Sequence, residues 1–249
     1  MKLRLLAAAG GFAVLTAGPA AALPVTFFGE DQSPAGSVDP AGAPAVAQGD
    51  FLATLAAGVG TEDFETRPVG DFATLGISFP GSTGAITATL SGPDLEVDGS
   101  AGSGRFATSG SRFVELDDGE MLIEFSDPIA AFGFFGTDVG DIGEQLAVTL
   151  FEAGTLAETE FLPPHDTNAN NGSLLFWGFV DTETSYSSIR LGSASGSGDV
   201  FGFDDLTIGD VGQIVNPPRP SGEVPLPAAG WMLIAGLGAL AGLRRARKG

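Results

Sequence analysis

The chain has 249 residues, with 31 acidic against 11 basic side chains, one histidine and no cysteine, and a formal net charge of −20. A chain this acidic repels nucleic acid and anionic lipid, which excludes both as electrostatic partners. Without cysteine there is no disulfide and no thiol chemistry, so stability has to come from a core or a bound metal.

Residues 1–22 read as a secretory signal peptide. Lys2 and Arg4 form the charged start, Leu5 to Ala17 the apolar stretch, and Ala20, Ala21 and Ala22 a small-residue cleavage site that would leave Leu23 first in the mature protein. The body after it is expected outside the cytoplasm. All 31 acidic residues fall between Glu30 and Glu223, where Arg67, Arg105, Arg112, Arg190 and Arg219 are the basic residues. Five arginines against 31 carboxylates leave this stretch at −26.

Thirty-eight glycines and 16 prolines argue against a helical protein. One helix is expected over residues 45–56, with Val46, Phe51, Leu52 and Leu55 as its apolar side, after a Pro/Ala/Gly-rich loop from Gln32 to Pro44. Strands are expected over 74–79, 85–90, 94–97, 105–108, 112–116, 120–125, 129–135, 146–151, 174–180, 185–191 and 200–208. Asp117-Asp118-Gly119 reads as a hairpin turn between two of them. Many short strands separated by turn residues predict an all-β fold, a jelly-roll-like β-sandwich over residues 23–212.

Within that body, Asp204 and Asp205 stand out. Strand alternation puts Asp204 on the face of Leu206 and Ile208, which is the expected core face. A carboxylate there needs a partner or a metal; the alternative is a place at the sheet rim, accepting backbone N–H bonds or pairing with arginine. Asp138 and Asp141 flank Val139-Gly140 and suit either a calcium ligand pair or turn caps, without the spacing of an EF-hand. His165, beside Pro163, Pro164 and Asp166, reads as a solvated loop residue. Trp177 lies in a stretch apolar on both faces and reads as core, although with Tyr186 it would also make a sugar-stacking platform. Asn171-Gly172-Ser173 reads as a turn. Carboxylates such as Glu115, Glu120 and Glu124 are so numerous that a glycosidase-like pair arises by chance, and no Gly-x-Ser-x-Gly elbow lies between a strand and a helix. The expectation is a protein without catalysis.

Residues 213–222, with Pro217, Pro218 and Pro220, read as a stiff spacer. From Val224 to Leu243 no residue is charged. Pro225 and Pro227 delay a helix until near Ala228, and the roughly 16 residues from there to Leu243 make a short span of a membrane that snorkelling Arg side chains complete. Arg244, Arg245, Arg247 and Lys248 follow at once and place the C-terminus in the cytoplasm. By itself this describes a single-pass anchor.

The order of parts in residues 223–249 (Pro motif, transmembrane helix, basic cluster) also resembles the VPLPA-type variant of the PEP-CTERM sorting domain. Val224, Pro225, Leu226, Pro227 and Ala228 carry the match. The resemblance implies that a membrane-embedded exosortase recognises the Pro motif and removes the helix. The protein then passes from an inner-membrane intermediate to the cell surface, outer envelope or extracellular matrix, in company with exopolysaccharide. Signal peptidase would process the other end. The body resembles β-sandwich proteins found with such tails, through Phe27-Phe28-Gly29-Glu30-Asp31, Glu62-Asp63-Phe64-Glu65, the stretch from Ala131 to Asp138 and that from Phe201 to Ile208. The last is similar to the closing strand of jelly-roll carbohydrate-binding modules. That likeness implies a structural calcium ion, with Asp63 or Glu65 joining Asp204 or Asp205. The expected function is a non-catalytic surface protein associated with matrix and exopolysaccharide. The alternatives are a calcium-dependent carbohydrate-binding module and an envelope glycoside hydrolase.

Overall fold

A computed structural model describes residues 24–217, except 118, 156 and 195–199. The signal-peptide site at Ala20, Ala22 and Leu23 and the sorting residues from Val224 to Lys248 lie outside the described residues.

The elements in chain order are β1 (Val25–Asp31), α1 (Ala43–Leu52), β2 (Thr61–Glu62), β3 (Gly70–Asp71), β4 (Thr74–Pro80), β5 (Ala85–Ser91), β6 (Leu95–Asp98), β7 (Phe113–Asp117), β8 (Glu120–Ile129), β9 (Ala131–Thr137), β10 (Leu146–Glu152), β11 (Glu158–Phe161), β12 (Leu174–Val180), β13 (Tyr186–Ser193) and β14 (Val200–Gly209), followed by a short 3-10 turn (Val211–Gln213). Among the described residues the strands form two antiparallel sheets. The first runs β1-β12-β9-β14-β7-β6-β3, with β2 on β14; the second runs β11-β10-β13-β8-β5-β4. This is the all-β sandwich that the spacing of strands and turns predicts.

The two sheets bury one apolar face each against the other. In β5, Ile86, Ala88 and Leu90 point inward while Ala85, Thr87 and Thr89 point out, the alternation that a half-buried strand requires. Rings from the first sheet fill the middle: Phe134 lies 5.4 Å from Phe203 and 6.2 Å from Trp177, and Phe179 meets Tyr186 edge-on at 5.3 Å. Each ring buries a large apolar area and gains from the tilted geometry.

Strands β9 and β12 are buried along their whole length. The cause is a third layer: α1 and its flanking loops cover the outer face of the first sheet. Phe51 of α1 packs at 5.7 Å on both Phe27 and Phe176. The approach is close enough to demand glycine beneath it. A Cβ at Gly29 would stand 2.1 Å from the Ala43 carbonyl oxygen, and one at Gly133 would stand 2.9 Å from the rings of Phe51 and Phe176. Among the described residues the second sheet has no such cover, so its outer face is the open one.

Several expectations are corrected. The helix starts earlier, with Pro44 in its first turn where no intrahelical N–H is missed, and ends at Leu52. It buries Ala47 and Phe51 rather than Val46, which is 53% exposed. Residues 105–108 make no strand; Arg105 forms an isolated bridge with Gly102 and the chain then loops. Asp117-Asp118-Gly119 does not close a hairpin, because β7 and β8 belong to different sheets. Strands β1, β2, β3 and β11 were not expected; each leans on a neighbour for its pairing rather than on a pattern of its own.

The end of the body is tied back to α1. Val215 and Asn216 donate backbone N–H bonds to the Thr54 carbonyl, Ala56 donates to that of Gln213, and the Asn216 side chain reaches the Ala53 carbonyl at 3.1 Å. Leu55 and Ile214 complete an antiparallel bridge.

Candidate functional site

The outer face of the second sheet is built from two cross-strand rows. Register aligns Glu160, Thr149, Arg190, Leu122, Ser91 and Thr74 in one row, and Glu158, Phe151, Ser188, Glu124, Thr89 and Gly76 in the next. With strands about 4.8 Å apart, a row of six spans about 24 Å. A trough of about 460 Å³ lies on these rows, with apolar Leu122 and Phe151 flanked by Ser91, Glu120, Ser188 and Arg190. A smaller hollow of about 60 Å³ shares Glu120 and Arg190 and extends the trough toward Thr149 and Glu160. The Arg190 guanidinium sits over the Phe151 ring, 5.3 Å from its centroid, and its Nε lies 3.4 Å from Glu120 Oε1. An apolar floor with hydroxyls, carboxylates and a guanidinium around it matches the two faces of a sugar ring, C–H on one side and hydroxyl groups at the edge.

Asp204 and Asp205 lie elsewhere, under the loop that joins β6 to β7. The expectation that Asp204 shares a face with Leu206 and Ile208 is overturned by a bulge. The β14–β9 register slips between Asp204 and Thr207, and Asp205 takes a left-handed φ of 50°. Phe201 and Phe203 before the bulge, and Leu206 and Ile208 after it, all face the sandwich core. Asp204 instead lies across from Phe135, on the outer face, where the loop buries it to 1% exposure. One extra residue in a strand shifts side-chain parity by one, and that is the whole of the effect.

Hydrogen bonds fill the Asp204 carboxylate. Oδ2 accepts from Thr108 N at 2.7 Å, Thr108 Oγ1 at 3.0 Å and Ser109 N at 3.1 Å, and Oδ1 accepts from Asp205 N at 2.8 Å. Asp205 accepts from Ser109 Oγ at 2.7 Å and faces Thr108 Oγ1 at 3.1 Å. Burial, and then the charge of Asp205, push the Asp204 carboxyl up to about 7 against the pull of these donors. Burial also raises Asp205, with Asp63 adding to it. Glu65 grips the other end of the same loop, accepting from Ser111 N and Arg112 N at 2.6 Å each, and these N–H groups hold its carboxyl low. Asp63 is exposed and accepts from Glu65 N at 3.2 Å.

Asp138 is buried as well. Its Oδ1 accepts from Gly172 N at 2.7 Å, and its Oδ2 meets Arg105 at 3.4 Å, while Arg105 also pairs with Glu115 at 2.6 Å. Burial raises Asp138, with Asp141 contributing and Arg105 opposing. Asp138 therefore closes the turn at Asn171-Gly172-Ser173. Among the described residues no group of three or more His, Asp or Glu side chains is placed to hold a metal ion. The residues expected to bind calcium do not fit it as they stand, because N–H hydrogens point at the oxygens of Asp204, Asp138 and Glu65 that a cation would need.

Three further expectations meet the structure. His165 is buried rather than solvated: Nε2 accepts from Leu146 N at 3.0 Å, so Nδ1 carries the proton and donates to the Asp166 carbonyl at 3.2 Å. Burial lowers its pKa and keeps it neutral. Trp177 is core, as expected, and Tyr186 is buried with it, its hydroxyl donating to Asp181 at 2.8 Å, so neither forms a platform. The aromatic on the open face is Phe151. The signal for it was present in the sequence, since Val148 and Leu150 alternate inward and leave Ala147, Thr149 and Phe151 outward.

No protein-family model and no curated protein matches the chain. Solved structures similar in fold include the K2 cleaved adhesin domain of Lys-gingipain, at 16% identity and a TM-score of 0.38, covering 61% of this chain and 98% of that one. The CBM22-1 xylan-binding domain of Paenibacillus barcinonensis Xyn10C is 12% identical, with a TM-score of 0.38 and coverage of 66% and 99%. A DUF4465 family protein from Bacteroides ovatus is 10% identical, with a TM-score of 0.28 and coverage of 74% and 98%. These likenesses concern sheet architecture only.

Proposed function

We propose that this protein is exported, is handed to the cell surface or matrix by an exosortase, and there associates with exopolysaccharide without catalysis. The observation that carries the binding part is the open face of the second sheet, where Phe151, Leu122 and Arg190 lie in a trough lined by hydroxyls and carboxylates. The other sheet is covered by α1 and its loops, so a long polymer has one broad surface to lie on. The sorting part rests on the order of parts in residues 223–249. No step of chemistry is assigned: the one histidine has both ring nitrogens engaged with backbone partners and offers no free base.

The test is retention of the purified protein by the producing cells' own exopolysaccharide, compared with the Phe151→Ala variant. Phe151 is half-buried at the surface, so its loss should weaken retention at least about tenfold while costing little stability. Equal retention of variant and parent would place the binding surface elsewhere, and no retention of either would remove the polysaccharide reading.

A further inference from the structure

The trough also carries information on which glycan it takes. Four exposed glutamates stand in or beside it: Glu158 and Glu160 on β11 and Glu124 on β8 lie on the two rows, and Glu120 on β8 lines the trough one row over. Against them stands one basic residue, Arg190, and Glu120 already pairs with it. The exported body as a whole has the same sign, with five arginines against 31 carboxylates. A polymer bearing uronates or other anions would meet repulsion both at long range and in contact.

Arg190 itself shows what the trough accommodates. Its side chain, 37% exposed, lays a planar cation on the Phe151 ring at 5.3 Å and presents it to Glu120 at 3.4 Å. A cation over an aromatic face with a carboxylate beside it is the arrangement that recognises ammonium groups in general. The protein fills that subsite with its own guanidinium. Glu158 of β11 and Glu124 of β8 stand in one row with Phe151 and Ser188 between them, three strand spacings or about 14 Å apart, whereas Glu120 is paired with Arg190. A glycan lying along the rows and carrying amines at intervals would meet carboxylates at both ends and an aromatic between them.

Resting on the polysaccharide reading above, we propose that the trough selects an amino-sugar glycan with free, protonated amines, and discriminates against uronate-bearing glycans. Arg190 is then an internal competitor for the cation subsite on Phe151, and the glutamates are the residues that determine charge preference.

The experiment uses the full chain in detergent and three oligosaccharides of equal length: a glucosamine hexamer, its fully N-acetylated counterpart and a galacturonate hexamer. Calorimetric titration at neutral pH and low salt should give the amine form at least about tenfold tighter binding than the acetylated form, and no measurable binding of the uronate. The preference should shrink as salt is raised through the range where surface charges are screened. The double variant Glu120→Gln, Glu124→Gln should bind the amine form no better than the acetylated form, and Arg190→Gln should strengthen binding of the amine form. All three side chains exchanged are exposed or half-exposed, and a thermal melt of each variant checks that the fold is kept. Equal or better binding of the acetylated or uronate oligomer would overturn the charge preference and leave polysaccharide binding standing. An amine preference unchanged in the Glu→Gln variant would overturn the assignment to this trough. Failure of all three oligomers to bind, with retention by native exopolysaccharide intact, would also overturn it, whereas loss of that retention too would remove the underlying reading.

Discussion

Replacing Asp204 by asparagine isolates a buried carboxylate whose protonation is set by the fold. Its ordinary pKa is 3.8 and burial beside Asp205 raises it to about 7. At about 1.4 kcal/mol for each pH unit, this difference corresponds to about 4 kcal/mol between the two protonation states. The sign follows from proton counting. Between the unfolded and folded pKa values the native state holds more protons than the unfolded chain, so stability falls as pH rises through that window. The contribution is complete below about pH 4, is lost as pH climbs toward 7 and is flat above it. From pH 5 to pH 8 the parent should lose about 3 kcal/mol from this group. Thr108 gives the same answer from stereochemistry: its single hydroxyl hydrogen faces Asp204 Oδ2 at 3.0 Å and Asp205 Oδ2 at 3.1 Å, so with both carboxylates ionised one of them goes without it. In Asp204→Asn the amide oxygen can keep the three bonds from Thr108 and Ser109, while the amide nitrogen faces the N–H of Asp205, a mismatch costing about 1–3 kcal/mol at every pH. The variant should therefore be less stable than the parent at pH 5 and equal to it or more stable at pH 8. Urea unfolding midpoints at constant ionic strength measure this directly. Glu65, whose lowered pKa gives the opposite slope, is common to both proteins and cancels in the comparison. A stability difference between variant and parent that is the same at pH 5 and pH 8 would refute the reasoning.

Three other outcomes are expected. Because N–H donors occupy the carboxylates of Asp204 and Asp138, adding calcium or EDTA should leave the melting temperature unchanged; a rise with calcium would mean that the loop from Arg105 to Arg112 rearranges to admit it. Phe51→Ala should cost about 3–5 kcal/mol in unfolding free energy, since the ring is fully buried between α1 and the first sheet and the glycines beneath it cannot fill the gap. Changing Pro225 and Pro227 to alanine should leave an unprocessed, membrane-bound form on fractionation, and normal surface release of that variant would end the exosortase reading.

The sandwich was legible because its strands obey period two wherever one face is open, as in β5 and β8. The strands that break the pattern, β9 and β12, are also the easiest to find, because a run apolar on both faces has to be covered twice. What covers them was partly legible: α1 was expected with Phe51 and Leu55 on its buried side, and both are buried, but helical spacing alone put Val46 there in place of Ala47. The buried carboxylates were recognised as a pair, but their face was misassigned, since a left-handed residue inside a strand leaves no mark on an apolar pattern. His165 looked solvated because prolines surround it, whereas its surroundings come from β10, twenty residues upstream in the chain's order of packing and invisible locally. The trough was missed for a different reason. Its residues come from separate strands and meet only through register, and attention to Trp177 passed over Phe151, whose outward direction the alternation of β10 already gave.

The knot of hydrogen bonds between residues 53–56 and 213–216 has a mechanical meaning. A pull on the chain beyond Asn216 would enter the body there, at the Leu55–Ile214 bridge and the bonds of Val215 and Asn216 to Thr54. Behind that clamp lies β14, an interior strand bonded to β9 on one side and to β7 and β2 on the other. Traction along it must slide many backbone bonds at once instead of unzipping them singly. Were the tail a tether, a pull on it would have to break this clamp before it reached β14.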